Sequence, residues 1–184
     1  MNPLSLQFPD HFESPRLLIR CPRPGDGRAL YEAVCETLMN LREWPASLPW
    51  AVFDPSVQAS ENYCQQGQEA FVARRDLPLL LFHKGTGALV GASGLHRMDW
   101  VERRFEVGYW CRLSCQGQGY TTEAVQAVAR FAENTLDARR VECFTDVRNL
   151  ASRKVAEKAG FVLETLHSRV SAQGLAYEVC VYVR

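Results

Sequence analysis

The stretch "SCQGQGYTTEA", residues 114–124, constrains this chain more than any other. Ahead of it stands "RFEVGYWC" (104–111), where apolar and polar residues alternate as in a strand. Behind it Ala124, Val125, Val128, Ala129, Ala132 and Leu136 recur at the spacing of an amphipathic helix. Gly117 and Gly119 therefore occupy a short passage from strand into helix. Backbone amides that hold a pyrophosphate must approach it with no side chain in the way. A helix opening directly afterwards adds free N–H groups and the positive end of its dipole. An ordinary turn that needs positive φ would also use glycine there. No Lys-Ser or Lys-Thr follows, which disfavours a P-loop. A dinucleotide fingerprint lacks both its third glycine and a preceding βαβ unit. Taken alone, the stretch leaves the pyrophosphate seat and the plain turn both open.

The rest of the chain reads as one mixed α/β domain over residues 1–184, with 1–13 an irregular N-terminal arm. "RLLIRCP" (16–22) is a strand stopped by Pro22 and Pro24, and 25–41 carries a helical apolar stripe. "REWPASLPWAVFDPS" is a structured Trp/Pro loop, followed by a helix over 56–76 whose centre Gly67 weakens. Strands at 77–83, 88–96 and 104–111, joined by "KGTG" and "RMDWVER", form an antiparallel meander. After the helix behind the glycines come a strand (139–147) and a short helix (149–160) that stops at Gly160. "FVLETLHSRV" and "LAYEVCVYV" close the chain as a hairpin around "SAQG". The expected order is β-α-α-β-β-β-α-β-α-β-β, an α+β arrangement with a mostly antiparallel central sheet flanked by helices.

Charge removes several partners from consideration. The chain has 21 basic and 21 acidic residues and a formal net charge of zero. Nothing in that balance draws it to nucleic acid or to an anionic membrane. The seven cysteines lack CxxC spacing, and His11, His83, His96 and His167 do not cluster with them. We therefore expect no metal site and reduced thiols. The N-terminus has neither the basic start nor the apolar core of a signal peptide, and no apolar run reaches a membrane span. A cytoplasmic protein is expected.

Three ordered motifs, E-x-G-Y-W (106–110), Q-G-x-G-Y-x-T-E-A (116–124) and N-x-x-S-x-x-x-x-E-K-x-G-F (149–161), resemble the GNAT superfamily of acyl-CoA-dependent N-acyltransferases. The nearest likeness is to its RimJ/RimL branch, which acetylates protein N-termini, and "SPRLLIRCPRPGD" is similar to that branch's opening strand. The resemblance runs from about residue 14 to 184. It implies acetyl-CoA as cosubstrate, with the amides of Gln116, Gly117, Gln118, Gly119 and Tyr120 around its pyrophosphate and Thr121 and Thr122 at the helix mouth. It also implies that the strands bearing "GYWC" and "VECFTD" splay to admit the pantetheine arm. The backbone of Cys111, Arg112 and Leu113 would pair with that arm, and Asn149 would bond it. Ser152 would face the sulfur, and Arg112, Arg153 and Lys154 are candidates for phosphate contact. Independently of any ligand, Asn149 is a good helix N-cap and Ser152 a small core-side residue. Tyr109 and Trp110 read as packing residues. A homodimer through the C-terminal hairpin is a further implication.

Acyl transfer to an amine needs an acceptor nitrogen freed of its proton. Glu106 is the one acid of "RFEVGYWC", on the strand face opposite Phe105 and Val107, and is our candidate for base or amine-positioning group. A solvated or salt-bridged strand residue is the alternative. The tyrosine that many GNAT enzymes carry on the short helix is Ala156 here, which leaves Ser152 as the hydroxyl for the departing thiolate. The expected reaction is direct transfer of acetyl to a protein or peptide α-amine in a ternary complex. A small amine as acceptor, or acyl-CoA binding without turnover, are the competing readings.

Overall fold

"LPLLL" (77–81) is apolar along its whole length because both of its faces are covered. It opens β3 (Leu77–His83), whose Leu77, Leu79 and Leu81 join one buried cluster while Leu80 joins another. The computed structural model describes residues 3–44, 48–170, 174 and 176–184. The other strands are β1 (His11–Glu13), β2 (Leu17–Arg20), β4 (Leu89–Asp99), β5 (Arg104–Cys111), β6 (Arg140–Asp146), β7 (Val162–Val170) and β8 (Ala176–Val183). They form one sheet in the order β1-β2-β3-β4-β5-β6-β8-β7. Every neighbouring pair is antiparallel except β5 and β6.

Helices α1 (Gly27–Arg42) and α2 (Val57–Val72) pack with Leu80, Leu89 and Ala92. Helix α3 (Tyr120–Thr135) lays Ala124, Val125, Val128 and Ala132, all fully buried, on Leu17, Ile19, Phe105 and Val107. The short α4 (Leu150–Lys158) contributes Ala156 to the same cluster as α3. Phe105 and Val107 thus face α3, and Glu106, Gly108 and Trp110 face the α1 side, as the alternation in "RFEVGYW" requires.

The element order follows the sequence pattern with one addition. Residues 11–13, expected to be irregular, form an edge strand paired to β2. Three residues are too few to show a period. Tertiary contact decides them instead: Phe12 stacks on Phe131 at 4.7 Å, and the Cys21 amide donates to the Asp10 carbonyl. Part of the Trp/Pro loop, residues 45–47, and most of the "SAQG" turn, residues 171–173, lie outside the described residues. No helix among the described residues is long and apolar enough to cross a membrane.

Candidate active site

The parallel pair β5–β6 is joined over only three residues, Arg104 to Glu106 against Arg140 to Glu142. Both strands continue, to Cys111 and to Asp146, without pairing to each other. A cleft of about 600 Å³ fills the gap, lined by Val107–Cys111 on one strand and Cys143–Thr145 on the other. A second recess of about 720 Å³ lies among α1, α2 and the 48–55 loop. The two share Leu48, Glu106, Gly108, Tyr109 and Trp110, so they meet where the strands part.

The glycine stretch forms one wall of the first cleft. Gly117 and Gly119 have φ of +74° and +80°, the left-handed region that side chains disfavour. Gly119 is the N-cap of α3, so the amides of Tyr120, Thr121 and Thr122 lack partners inside the helix. A Cβ on Gly117 would meet nothing within 4 Å, leaving its backbone open to a ligand. The stretch is anchored from behind. Arg16 donates to the Gln118 carbonyl at 3.0 Å and lies over the Tyr120 ring, 4.4 Å from its centre. Glu123 in turn accepts from the Arg16 side chain at 2.7 Å, the Arg16 amide at 2.8 Å and the Ser14 hydroxyl at 2.6 Å. Sequence reading missed this anchor, although the acid of "TTEA" in a first helical turn was its trace.

At the throat the hydroxyl of Tyr109 donates to the Ser152 carbonyl at 2.9 Å and accepts from the Ser152 hydroxyl at 3.2 Å. It also lies 3.5 Å from the Cys143 sulfur. Burial holds the Tyr109 phenol well above its ordinary value, so it stays protonated and keeps the hydrogen it gives to Ser152. Asn149 caps α4, its side-chain oxygen accepting from the Ser152 amide at 3.0 Å. Tyr109 therefore packs, as its strand position suggests, and also ties β5 to the start of α4. The Glu106 carboxylate is largely buried and bonded to the Arg97 guanidinium.

An acetyltransferase (GNAT) domain model matches residues 16–162. The chain belongs to this family. It is 29% identical over 160 residues to the ribosomal-protein-serine acetyltransferase of Escherichia coli strain K12, covering 85% of this chain and 86% of that one. Among solved structures, the microcin C7 self-immunity acetyltransferase MccE, bound to acetyl-CoA and AMP, superposes with a TM-score of 0.85 at 19% identity. That match covers 96% of this chain and 97% of the other. A RimL ribosomal L7/L12 α-N-protein acetyltransferase bound to coenzyme A superposes at 0.81 with 24% identity, covering 93% and 94%. These two likenesses extend the fold over at least 93% of the chain.

Against this GNAT frame, four residues expected to contact the cofactor give polar groups to partners within the fold. Arg112 and Leu113 turn away from the cleft. The Arg112 amide donates to the Val90 carbonyl at 2.9 Å, its side chain binds Glu36 at 2.5 Å, and the Leu113 amide donates to the Thr37 hydroxyl at 3.0 Å. Those groups are spent on β4 and α1, and Val107–Cys111 line the cleft. The Gln116 amide is likewise taken, by the Leu113 carbonyl at 3.1 Å, although the residue lines the cleft. Arg153 points to the far side of α4, onto the Tyr182 hydroxyl and the Val147 carbonyl. The cations of α4 that line the cleft are Lys154 and, unforeseen, Lys158. Helical spacing explains the choice: four apart, the two lysines share a face, and Arg153 does not.

Glu36 fastens the glycine stretch at its other end. Its carboxylate accepts from the Ser114 amide at 2.7 Å as well as from Arg112. Hydrogen bonding from Ser114, then from Arg112, holds it down to about 2. A carboxyl lowered on folding stabilises the fold above its unfolded value, about 4.3, and that contribution is lost as pH falls toward the folded value. Wild type should therefore exceed Glu36→Gln in stability at pH 6, with the gap closing between about pH 4.5 and pH 2. Urea melts of both proteins across that range check it, and a gap independent of pH would refute it.

Proposed function

We propose that this GNAT enzyme transfers acetyl from acetyl-CoA to the α-amine of a protein N-terminus, of the kind ribosomal proteins present. The observation that carries this reading is the meeting of two recesses at one throat. One recess ends in an anchored glycine turn and a helix mouth; the other opens among apolar and aromatic side chains.

The pyrophosphate lies against the backbone from Gly117 to Tyr120, with Thr121 and Thr122 at the helix mouth and Lys154 and Lys158 alongside. The pantetheine arm runs between β5 and β6 past Asn149, which keeps an amide donor free of its capping bond. The thioester then stands at Tyr109 and Ser152. From the other side the acceptor nitrogen reaches Glu106, whose charge holds it at the throat. The neutral amine attacks the thioester carbon, the C–S bond breaks, and the nitrogen's surplus proton ends on the sulfur. Ser152, hydrogen-bonded to Tyr109, supplies the proton path to that thiolate. The 29% identity with a ribosomal-protein-serine acetyltransferase over most of both chains supports a protein N-terminus as acceptor.

The test pairs calorimetry with mass spectrometry. Acetyl-CoA should bind with micromolar affinity, clearly tighter than adenosine bisphosphate, and a serine-initiated hexapeptide should gain one acetyl group on its α-amine. Ser152→Ala should slow that transfer roughly 10- to 100-fold with unchanged acetyl-CoA affinity. Acetylation of spermidine and not of the peptide would overturn the acceptor class. Absence of acetyl-CoA binding would overturn the enzyme.

A further inference from the structure

A second titratable pair lies in the acceptor recess, and none of the steps above uses it. His96, on β4, pairs across the sheet with Glu106 on β5, so both side chains stand on the face that the recess covers. The His96 Nδ1 lies 2.8 and 3.0 Å from the two oxygens of Asp76. An ionised carboxylate only accepts, so Nδ1 must carry a hydrogen. In the neutral ring the other nitrogen, Nε2, is then a bare lone pair.

The neighbouring residues make a bed for this ring. Gly94 and Gly108 face each other on β4 and β5, one step toward the throat from the His96/Glu106 pair. A Cβ on Gly94 would come within 2.9 Å of Nε2, and one on Gly108 within 3.1 Å of Cδ2. The imidazole therefore lies over a floor without side chains, its Nε2 beside Gly94 and Gly108, in the recess that Tyr109 and Trp110 also line. The strand register breaks immediately after His96, and Arg97 takes φ of +44° in that break. Such bulges re-aim side chains beside active sites. Here the bulge turns Arg97 onto Glu106, which occupies one carboxylate oxygen and leaves the other for an ammonium.

We propose that His96 is the proton acceptor for the incoming amine, with Asp76 as its positioning residue and Glu106 as the anchor for the ammonium. The inference rests on the acetyl-transfer reading above and divides its labour. The ammonium held at Glu106 passes one proton to His96 Nε2. The resulting neutral amine attacks the thioester, its second proton leaves with the coenzyme A thiol, and the imidazolium returns its proton to solvent. Asp76 stabilises that imidazolium across Nδ1. Among the described residues, the other charged or titratable groups lining the ring's recess are Arg97, Glu106 and Tyr109, Tyr63 of α2 and Asp54 of the loop.

His96→Gln should lower kcat at pH 7 by about 100-fold, within the range removed with a general base, while acetyl-CoA affinity changes less than about twofold. The deficit should shrink as pH rises past about 8, where solution supplies the neutral α-amine unaided. Asp76→Asn should show a smaller loss with the same pH dependence, which a purely structural role would not produce. A loss that is flat with pH, or His96→Gln activity within twofold of wild type, overturns the proposal. Long-range 1H–15N NMR of labelled protein tests it even if the hexapeptide proves to be no substrate. The neutral His96 ring should carry its hydrogen on Nδ1, and a hydrogen on Nε2 would rule out the role whatever the acceptor is.

Discussion

Gly119→Glu lowers acetyl-CoA affinity by at least about 100-fold and leaves the fold in place. The loss corresponds to about 3 kcal/mol, at 1.4 kcal/mol per tenfold. Two effects add. A side chain at φ of +80° costs about 1–2 kcal/mol of backbone strain, relieved only by moving the turn that shapes the ligand seat. The new carboxylate then sits at the mouth of α3, beside amides that would otherwise face a phosphate. Folding tolerates it, because a Cβ there meets only the Arg16 guanidinium, at an ordinary contact distance of 3.5 Å. Gly117→Ala is the milder companion, with similar strain, open space around the methyl group and no added charge. Calorimetric titration with acetyl-CoA, together with a circular-dichroism melt, separates binding from folding. Wild-type affinity in Gly119→Glu would end the pyrophosphate assignment.

Phe105→Ala costs about 3–5 kcal/mol of stability, a large part of the 5–15 kcal/mol that holds a typical domain together. Phe105 is fully buried, meets Trp100 edge-on at 5.1 Å, and sits opposite Val141 in the short parallel ladder. Emptying that position removes a ring from the core and leaves a cavity where the structure can relax only in part. For a chain of this size the Tm should fall by roughly 10 °C. The variant should also weaken acetyl-CoA binding, since Phe105 is one residue from the point at which β5 and β6 part. Urea unfolding measures the first effect and calorimetry below the transition the second. A stability loss under about 1 kcal/mol would mean that the core closes around the gap.

Much of the architecture is local and therefore legible in one dimension. The alternation in "RFEVGYWC" assigns Phe105 and Val107 to one face and Glu106, Gly108 and Trp110 to the other, and the sheet obeys it. The stripe from Ala124 to Ala132 marks the buried side of α3, and Asn149 is the cap its position suggests. Two glycines between a strand pattern and a helix pattern mark a turn there, and Gly117 and Gly119 both take positive φ in it. Each of these signals depends on residues within a few positions of one another, which is the range over which backbone periodicity and steric limits act.

What escaped the sequence depends on partners far away along it. Nothing near Arg112 shows that Glu36 and Thr37, some 76 residues earlier, will take its side chain and the next amide away from the cleft. Nothing near Arg153 shows that Tyr182 will draw it to the far side of α4. Tyr109 looks like packing until α4 brings Ser152 within 3.2 Å. His96 looks isolated until the β3–β4 pairing carries Asp76 to it and the β4–β5 register sets Glu106 beside it. Local spacing determined the elements, their faces and the glycine turn, because those follow from the short-range geometry of the backbone. The tertiary structure alone decided which polar groups are spent on the scaffold and which remain at the throat, because a hydrogen-bonding group is satisfied by whatever the fold places within about 3 Å of it.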